Sequence, residues 1–514
     1  MSSEKNKALN SILKGASIIF IGVVISKLLG LLFRVLVGRT LGPTEYGIIA
    51  LLIAVFSAAE TFGHMGINRG VQRYISFYRG EEDLVKMVGT ARSGYLLILL
   101  PSIIVGALLF VFAPWLSVEI FDEERLITPL QMAAVAIPFW GVAKVSVAVT
   151  NAFEKMQYKV YINKIWTNTS EVFLAFLLIY LGYGYIGASF AYVFGFATAS
   201  VLGLYYVQKV FPEVFSYGDS NKNYSQLWQH SWPLFAAGVF GIITGHIDTF
   251  MIQYFIGAEQ VGIYQAAYPF AILLLAGNSM FSKIFLSRAS YLTSKSQEDL
   301  TATFRVIVKW VTLVTLPVFL LLLAYPRSVL VLFGAEYYAA ENVLRILLVG
   351  FMVHAVMEPA KDVFQAVDRT RIITGLSVIV SGLNFGLNIL LIPLYGITGA
   401  ALASAATFVV VFGVKALFIY RILGVQPFRT SIFRIMAAGV AGIGLIVLVA
   451  NILFVSTPYW FLIPGFIGFA LIYPILTIWL GGFEEEDITI LHTIDQKTVF
   501  NLKPVIKIIE KYSR

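Results

Sequence analysis

ISKLLGLLFRVLVGRTLGPTEYGI, residues 25–48, runs as an apolar helix, stops at Gly42-Pro43 and restarts as a second apolar helix. Lys27 and Arg34 stand inside the first of the two. A cation at the centre of a bilayer is costly, so it faces a bundle interior or a wet cavity and marks a functional path. The competing reading is a long stem reaching up to the head-group layer, which is more open to Arg34 than to Lys27, the residue nearer mid-segment. The two are seven apart, so they share a helix face, and Gly30 leaves room on that face for a partner.

The rest of the chain is of the same kind. It has 514 residues, 58% hydrophobic and 13% charged, with a mean hydropathy of +0.82. Apolar runs of about 20 residues, the length that crosses a bilayer as a helix, recur along nearly all of it. Continuous runs exclude a β-barrel, which alternates apolar and polar residues. There is no cysteine, hence no disulfide, thiolate metal site or cysteine nucleophile. The excess of 37 Lys+Arg over 29 Asp+Glu reads as loop charge rather than nucleic-acid binding. The start, MSSEKNKALNSILKG, is polar and has no small-residue cleavage site, so it does not read as a signal peptide.

Fourteen helices are predicted: 15–37, 46–65, 95–115, 127–149, 162–181, 185–207, 232–256, 261–285, 306–325, 343–366, 372–392, 400–420, 432–454 and 459–480. With a cytoplasmic N-terminus, the inside loops hold Arg69, Arg73, Arg79, Lys86 and Arg92, then Lys155, Lys159 and Lys164, then Arg288, Lys295 and Arg305, then Lys361, Arg369 and Arg371. The outside loops hold only Arg39, Arg125, Arg327 and Arg345, and one is acidic (Asp122, Glu123, Glu124). That positive-inside bias predicts a multi-pass plasma-membrane protein with both termini cytoplasmic.

An internal repeat sets the architecture. LGPTEYGI at 41–48 matches IGAEQVGI at 256–263, a shift of 215; FAPWLSVEIF at 112–121 matches AYPRSVLVLF at 324–333, and GYIGASFA at 184–191 matches GITGAALA at 396–403, both a shift of 212. Asn151 and Asp362 open comparable inside loops at a shift of 211. The fold class is therefore all-α and membrane-spanning: two parallel six-helix lobes plus two C-terminal helices. The predicted boundaries are 1–210, a cytoplasmic linker 211–231, 232–422, helices 423–483, and a cytoplasmic tail 484–514. Paired parallel bundles around a central site are a transporter architecture; a duplicated channel or scaffold is the alternative.

Other intramembrane charges are candidates for coupling or counter-ion roles. His246 and Asp248 fall beside the repeat counterpart of Arg34, so Asp248 is a candidate partner of Lys27 or Arg34, or a cation or proton site, against a static ion pair. Glu60 and His64 are one turn apart, as are His354 and Glu358; local pairing competes with proton relay. Glu171, Lys144 and Lys415 are single charges. No HExxH, metal-ligand histidine cluster or phosphate loop is present, so no cofactor is expected, and energy would come from an ion gradient or the membrane potential, Na+ or H+ being the open choices. Gly42-Pro43 and Gly257-Ala258 need only make sharp reversals. The end of the tail, with Val505, Ile506, Ile508 and Ile509 beside Lys507 and Lys511, reads as a membrane-surface helix or a disordered tail.

The hairpin RTLGPTEYGI at 39–48, GINRGVQRYIS at 66–76 and the run from Asp248 to Tyr264 resemble the polysaccharide flippase branch of the multidrug/oligosaccharidyl-lipid/polysaccharide exporter superfamily. It includes relatives of the lipid II flippase and of the multidrug and toxin extruders. The resemblance implies a non-enzyme that moves a lipid-linked oligosaccharide, on a polyprenyl or dolichyl phosphate or diphosphate, to the outer leaflet by alternating access. Its partners would be that substrate, membrane lipids and glycosyltransferases of the same pathway, not nucleic acid. Lys27 and Arg34 stand where the family places basic residues against the pyrophosphate; helix 8 lacks a matching arginine, and Lys283 is the nearest substitute. The runner-up, a cation-coupled multidrug exporter, would want acidic first-helix residues, and Asp248 keeps it open. A membrane-embedded glycan polymerase would want a large outer loop.

Overall fold

The computed structural model describes the backbone of residues 2–487, apart from 217, 219–223, 294, 425, 427–429, 455–457 and 485–486, and side chains from residue 22 on, with scattered gaps within 234–244 and 279–287. The described residues form helices and no strand. Ten of these helices are long and apolar enough to cross a membrane. Two of the ten, Gly22–His64 and Thr370–Leu423, at 43 and 54 residues, far exceed the roughly 20 that one crossing needs. Each is two helices joined at a non-helical glycine, Gly42 (φ 82°, ψ 176°) and Gly396 (φ 59°, ψ −140°). A positive φ is open to glycine at no steric cost, and both lie where the sequence predicts a break.

The inside loop after His64 holds more structure than its charges suggest. Ile67–Gly80 is an amphipathic helix that buries Ile67, Gly70, Val71, Ile75 and Tyr78. It packs them on Val88, Ala91, Ile98, Val145 and Val149. The next helix, Leu84–Trp115, starts eleven residues before the predicted span. The predicted fifth helix begins in a π-helical turn, Tyr161–Trp166, and continues as Thr167–Tyr180.

The chain divides into two compact units, Met1–Ala266 and Ala267–Arg514. In the first, small residues let helices approach, as is usual where lipid gives no hydrophobic drive to pack. A Cβ on Gly106 would lie 2.6 Å from the Ala134 carbonyl oxygen. Its aromatic centre is Phe196, with Phe56 stacked at 4.6 Å and Trp140 tilted at the same distance.

In the second unit, a Cβ on Gly350 would lie 2.7 Å from Ala405 Cα, holding Glu341–Val356 against Thr370–Leu423. Leu316 packs on Gly439 of Thr430–Leu453. Lys309, 4% exposed, reaches Glu484 at 3.0 Å and also Asp487, whose other oxygen accepts from Trp310 Nε1 at 2.9 Å. The start of the segment predicted as a cytoplasmic tail is thus fastened to Lys309 and Trp310 in this unit. The amphipathic stretch at 505–511 lies outside the described residues.

Candidate functional site

In the first unit, Arg34 is held by neutral groups from the second hairpin. Its Nη1 donates to Gln265 Oε1 at 3.4 Å. The Tyr46 hydroxyl donates to the Gln265 backbone carbonyl at 3.2 Å, and Gln265 Nε2 donates to Thr249 Oγ1 at 2.7 Å. One residue earlier on both segments, the Tyr264 hydroxyl donates to Asp248 Oδ2 at 2.5 Å. Thr249 is the repeat counterpart of Arg34 at the shift of 215, so these two positions are linked through Gln265, while Asp248, the expected counter-ion, accepts from Tyr264. Glu171 is only 7% exposed and stands in the field of Arg34, with Tyr192 beside it. His246 lies in the same field. Arg34, Glu171, His246 and Asp248 are therefore brought to one neighbourhood.

Lys27 is exposed and lies apart from that network. Its neighbours are like-charged: Lys164 stands in the fields of both Lys27 and Lys159. Asn168 knits this region by donating to Ser26 Oγ at 3.1 Å and to the Lys164 carbonyl at 2.7 Å. A same-sign group is unfavourable alone and favours an anion between its members. Lys283 lies outside the described side chains.

The remaining candidates form two further groups. Glu60 meets His64 at 3.5 Å and Lys144 at 2.6 Å. Glu358 meets His354 at 3.5 Å and Lys415 at 2.7 Å, with Lys361 at 3.9 Å. The lysines that stand alone in the sequence each find a carboxylate. Among the described residues, no group of three or more His, Asp and Glu is placed to hold a metal. Sequence reasoning missed Gln265, Tyr264, Tyr46 and the role of Lys164. The first three sit in or directly after the repeated hairpin motif, which was the available signal, and Lys164 was counted only as loop charge.

Two family models match the chain: the polysaccharide biosynthesis protein model over residues 12–286 and the MatE model over 233–390. The chain is 22% identical over 406 residues to the "Putative O-antigen transporter" of Shigella flexneri, covering 76% of this chain and 94% of that one. It is 27% identical over 193 residues to the "Probable low-salt glycan biosynthesis flippase Agl15" of Haloferax volcanii, 37% of this chain and 41% of that one. The fold is similar to that of the lipid II flippase MurJ in an inward closed conformation, with a TM-score of 0.71 at 17% identity over 89% of this chain and 97% of that one. Because the first model spans more than half of its length, the chain belongs to the polysaccharide biosynthesis protein family, within the multidrug/oligosaccharidyl-lipid/polysaccharide exporter superfamily.

Proposed function

We propose that the chain is a flippase that carries a lipid-linked oligosaccharide from the cytoplasmic to the outer leaflet, the carrier being a polyprenyl or dolichyl phosphate or diphosphate. The observation that carries this reading is the cationic face of the first helix, with Arg34 on a neutral amide and Lys27 near Lys164. An anionic head group loses its hydration as it crosses, and fixed cations in a poorly hydrated path offset that cost. The family match and the names of the relatives, an O-antigen transporter and a glycan biosynthesis flippase, support the same reading. Glycosyltransferases of the pathway would supply the substrate, and no bond is made or broken in the transport step.

The architecture that fits is fourteen crossings in two six-helix lobes plus two C-terminal helices, with both termini cytoplasmic. Counting the two kinked helices twice and adding Tyr224–Ile256 and the run through Thr167–Tyr180 reaches that number. Asp248, Glu171 and His246 are the candidates for ion or proton coupling.

The test is transport of a fluorescent polyprenyl-diphosphate sugar in proteoliposomes. Lys27→Gln and Arg34→Gln are each expected to lower the initial rate at least tenfold, as loss of about 1.4 kcal/mol or more of charged contact would, with folded protein unchanged. Rates equal to wild type in both variants would remove the cationic face from the mechanism. Cation-coupled drug export is the second reading, favoured by the MatE match and by Asp248. It takes over if the wild type ignores the lipid but expels cationic dyes under a Na+ or H+ gradient.

A further inference from the structure

Gly47 and Gly262 occupy the same place in the two repeats, and so do Pro43 and Ala258, all at the shift of 215. In the first unit these four residues meet, and the contact is reciprocal. A Cβ on Gly47 would lie 1.8 Å from the Ala258 carbonyl oxygen, and one on Gly262 would lie 1.9 Å from the Pro43 carbonyl oxygen. Each would also stand 3.0 Å from the other glycine's amide nitrogen. The two outer hairpins therefore cross backbone to backbone, with no side chain between them, at a point where the repeat is self-complementary. Ile48, Ile49 and Val261 are fully buried around the crossing. A contact between smooth backbones parts without unlocking interdigitated side chains, which suits a joint that opens and closes.

Immediately below it lies Gln265, which touches both sides of the problem. Its backbone carbonyl accepts from Tyr46, the neighbour of Gly47, while its side-chain carbonyl accepts from Arg34. The Arg34 contact is long, 3.4 Å, and neutral on the acceptor side. A phosphate oxygen offers the guanidinium a charge-assisted bond about twice as strong as that to an amide, so phosphate competes with Gln265 for Arg34.

We propose that the Gly47–Gly262 crossing is the outer seal of the transport path, and that Gln265 is a positioning residue that makes the seal respond to phosphate at Arg34. The first half rests on the transporter reading with a cytoplasmic N-terminus, and the second half on the flippase reading. With Arg34 empty, Gln265 holds it and braces Tyr46 under the closed crossing. With phosphate on Arg34, the Gln265 side chain is released and the hairpins part toward the outside.

The chain contains no cysteine, so a single one reports on the seal. Val261→Cys, fully buried beside the crossing, is reconstituted in full-length protein and reacted from outside with a membrane-impermeant maleimide. Labelling is expected to be slow in this background and several-fold faster with Gly47→Val or Gly262→Val. Gly47→Ala acts in the same direction if the valine variants do not fold. Gly241→Ala, where an added Cβ meets nothing within 4 Å, is expected to change nothing. Undecaprenyl phosphate added to the vesicles is expected to speed labelling with Gln265 present and to have no effect in Gln265→Leu.

Unchanged labelling in the Gly47 and Gly262 variants overturns the seal. A faster rate in those variants, with undecaprenyl phosphate quenching tryptophan fluorescence but not altering labelling, overturns the role of Gln265. If the lipid does not bind at all, the flippase reading falls, while the seal stands on the glycine variants alone.

Discussion

Each unit brings a glutamate, a histidine and a lysine from another helix together, with the exposed Lys361 also near Glu358 in the second, and the two groups differ in how much choice that lysine has. In the first unit the Lys144 side chain is 19% exposed and its ammonium also lies 5.5 Å from the Trp140 ring centroid. In the second the Lys415 side chain is 6% exposed, and Glu358 meets it at 2.7 Å. The histidines differ too: His354 stacks on Phe408 at 4.5 Å, while His64 Nδ1 accepts from the Gly66 amide. The groups are not copies of each other. At the repeat shifts of 212 and 215, Lys144 corresponds to Val356 and Glu60 to Leu275. The sequence repeat does not carry these charges with it. A shared role for them cannot be argued from symmetry and has to be tested group by group.

The largest expected effect comes from taking away the second group's carboxylate. Glu358→Ala strands a buried ammonium, and breaking a buried pair costs about 3–5 kcal/mol. Glu60→Ala should cost clearly less, because Lys144 keeps partial hydration and the Trp140 face. Thermal unfolding of both variants in the same detergent measures the ordering. The double change Glu358→Leu with Lys415→Leu should recover most of the loss, since the only charge left without Glu358 is the exposed Lys361. Equal losses in the two single variants would break the comparison.

This contrast also shows what was legible in the sequence. The hairpin break at Gly42, the break at Gly396, the repeat and the all-helical membrane class follow from local chemistry, namely apolar run length, glycine and loop charge. The pairing of Lys144 with Glu60 does not, because it joins residues 84 apart through the way two helices pack. The histidine–glutamate pairs were legible because one helical turn separates them. Arg34 was legible as an anomaly, but its partner Gln265 was not. A glutamine in an apolar helix carries no charge to flag it. The Ile67–Gly80 helix escaped because five arginines and lysines across 69–92 read as a loop, although its apolar residues recur at helical spacing.

The aromatic half of the comparison can be isolated next. If Trp140 compensates Lys144, then Trp140→Leu should cost more in the Glu60→Ala background than in the wild type. The excess should be about 0.5–2 kcal/mol, the range of a cation–π contact from exposed to desolvated. A double-mutant cycle on unfolding reads the excess directly. An excess of zero would mean that Lys144 tolerates loss of Glu60 through water alone, and that exposure decides the difference between the two groups.

The smallest effect concerns a histidine that meets an arginine instead of a glutamate. His230, two residues before the predicted seventh helix, places Nδ1 3.1 Å from Arg73 Nη1. Arginine can only donate, so Nδ1 must accept and the ring is neutral with its proton on Nε2. Burial, and then the positive field of Arg73, hold its pKa below the ordinary 6.5. The folded state thus binds this proton less readily than the unfolded chain does. Stability is therefore unaffected well above the ordinary value and falls as the pH drops below it. Arg73→Gln removes the field and leaves the burial. Between roughly pH 7.5 and pH 5, where histidine changes charge, the wild type should lose more of its unfolding temperature than Arg73→Gln does. His64 and His354, set against carboxylates, are unaltered in both proteins, so their contributions cancel in that difference. An identical pH slope in the two would show that Arg73 does not face His230 closely enough to matter, leaving the Tyr74–His230 edge contact and the Tyr78–Gln226 hydrogen bond as the polar and aromatic links between Ile67–Gly80 and the start of Tyr224–Ile256.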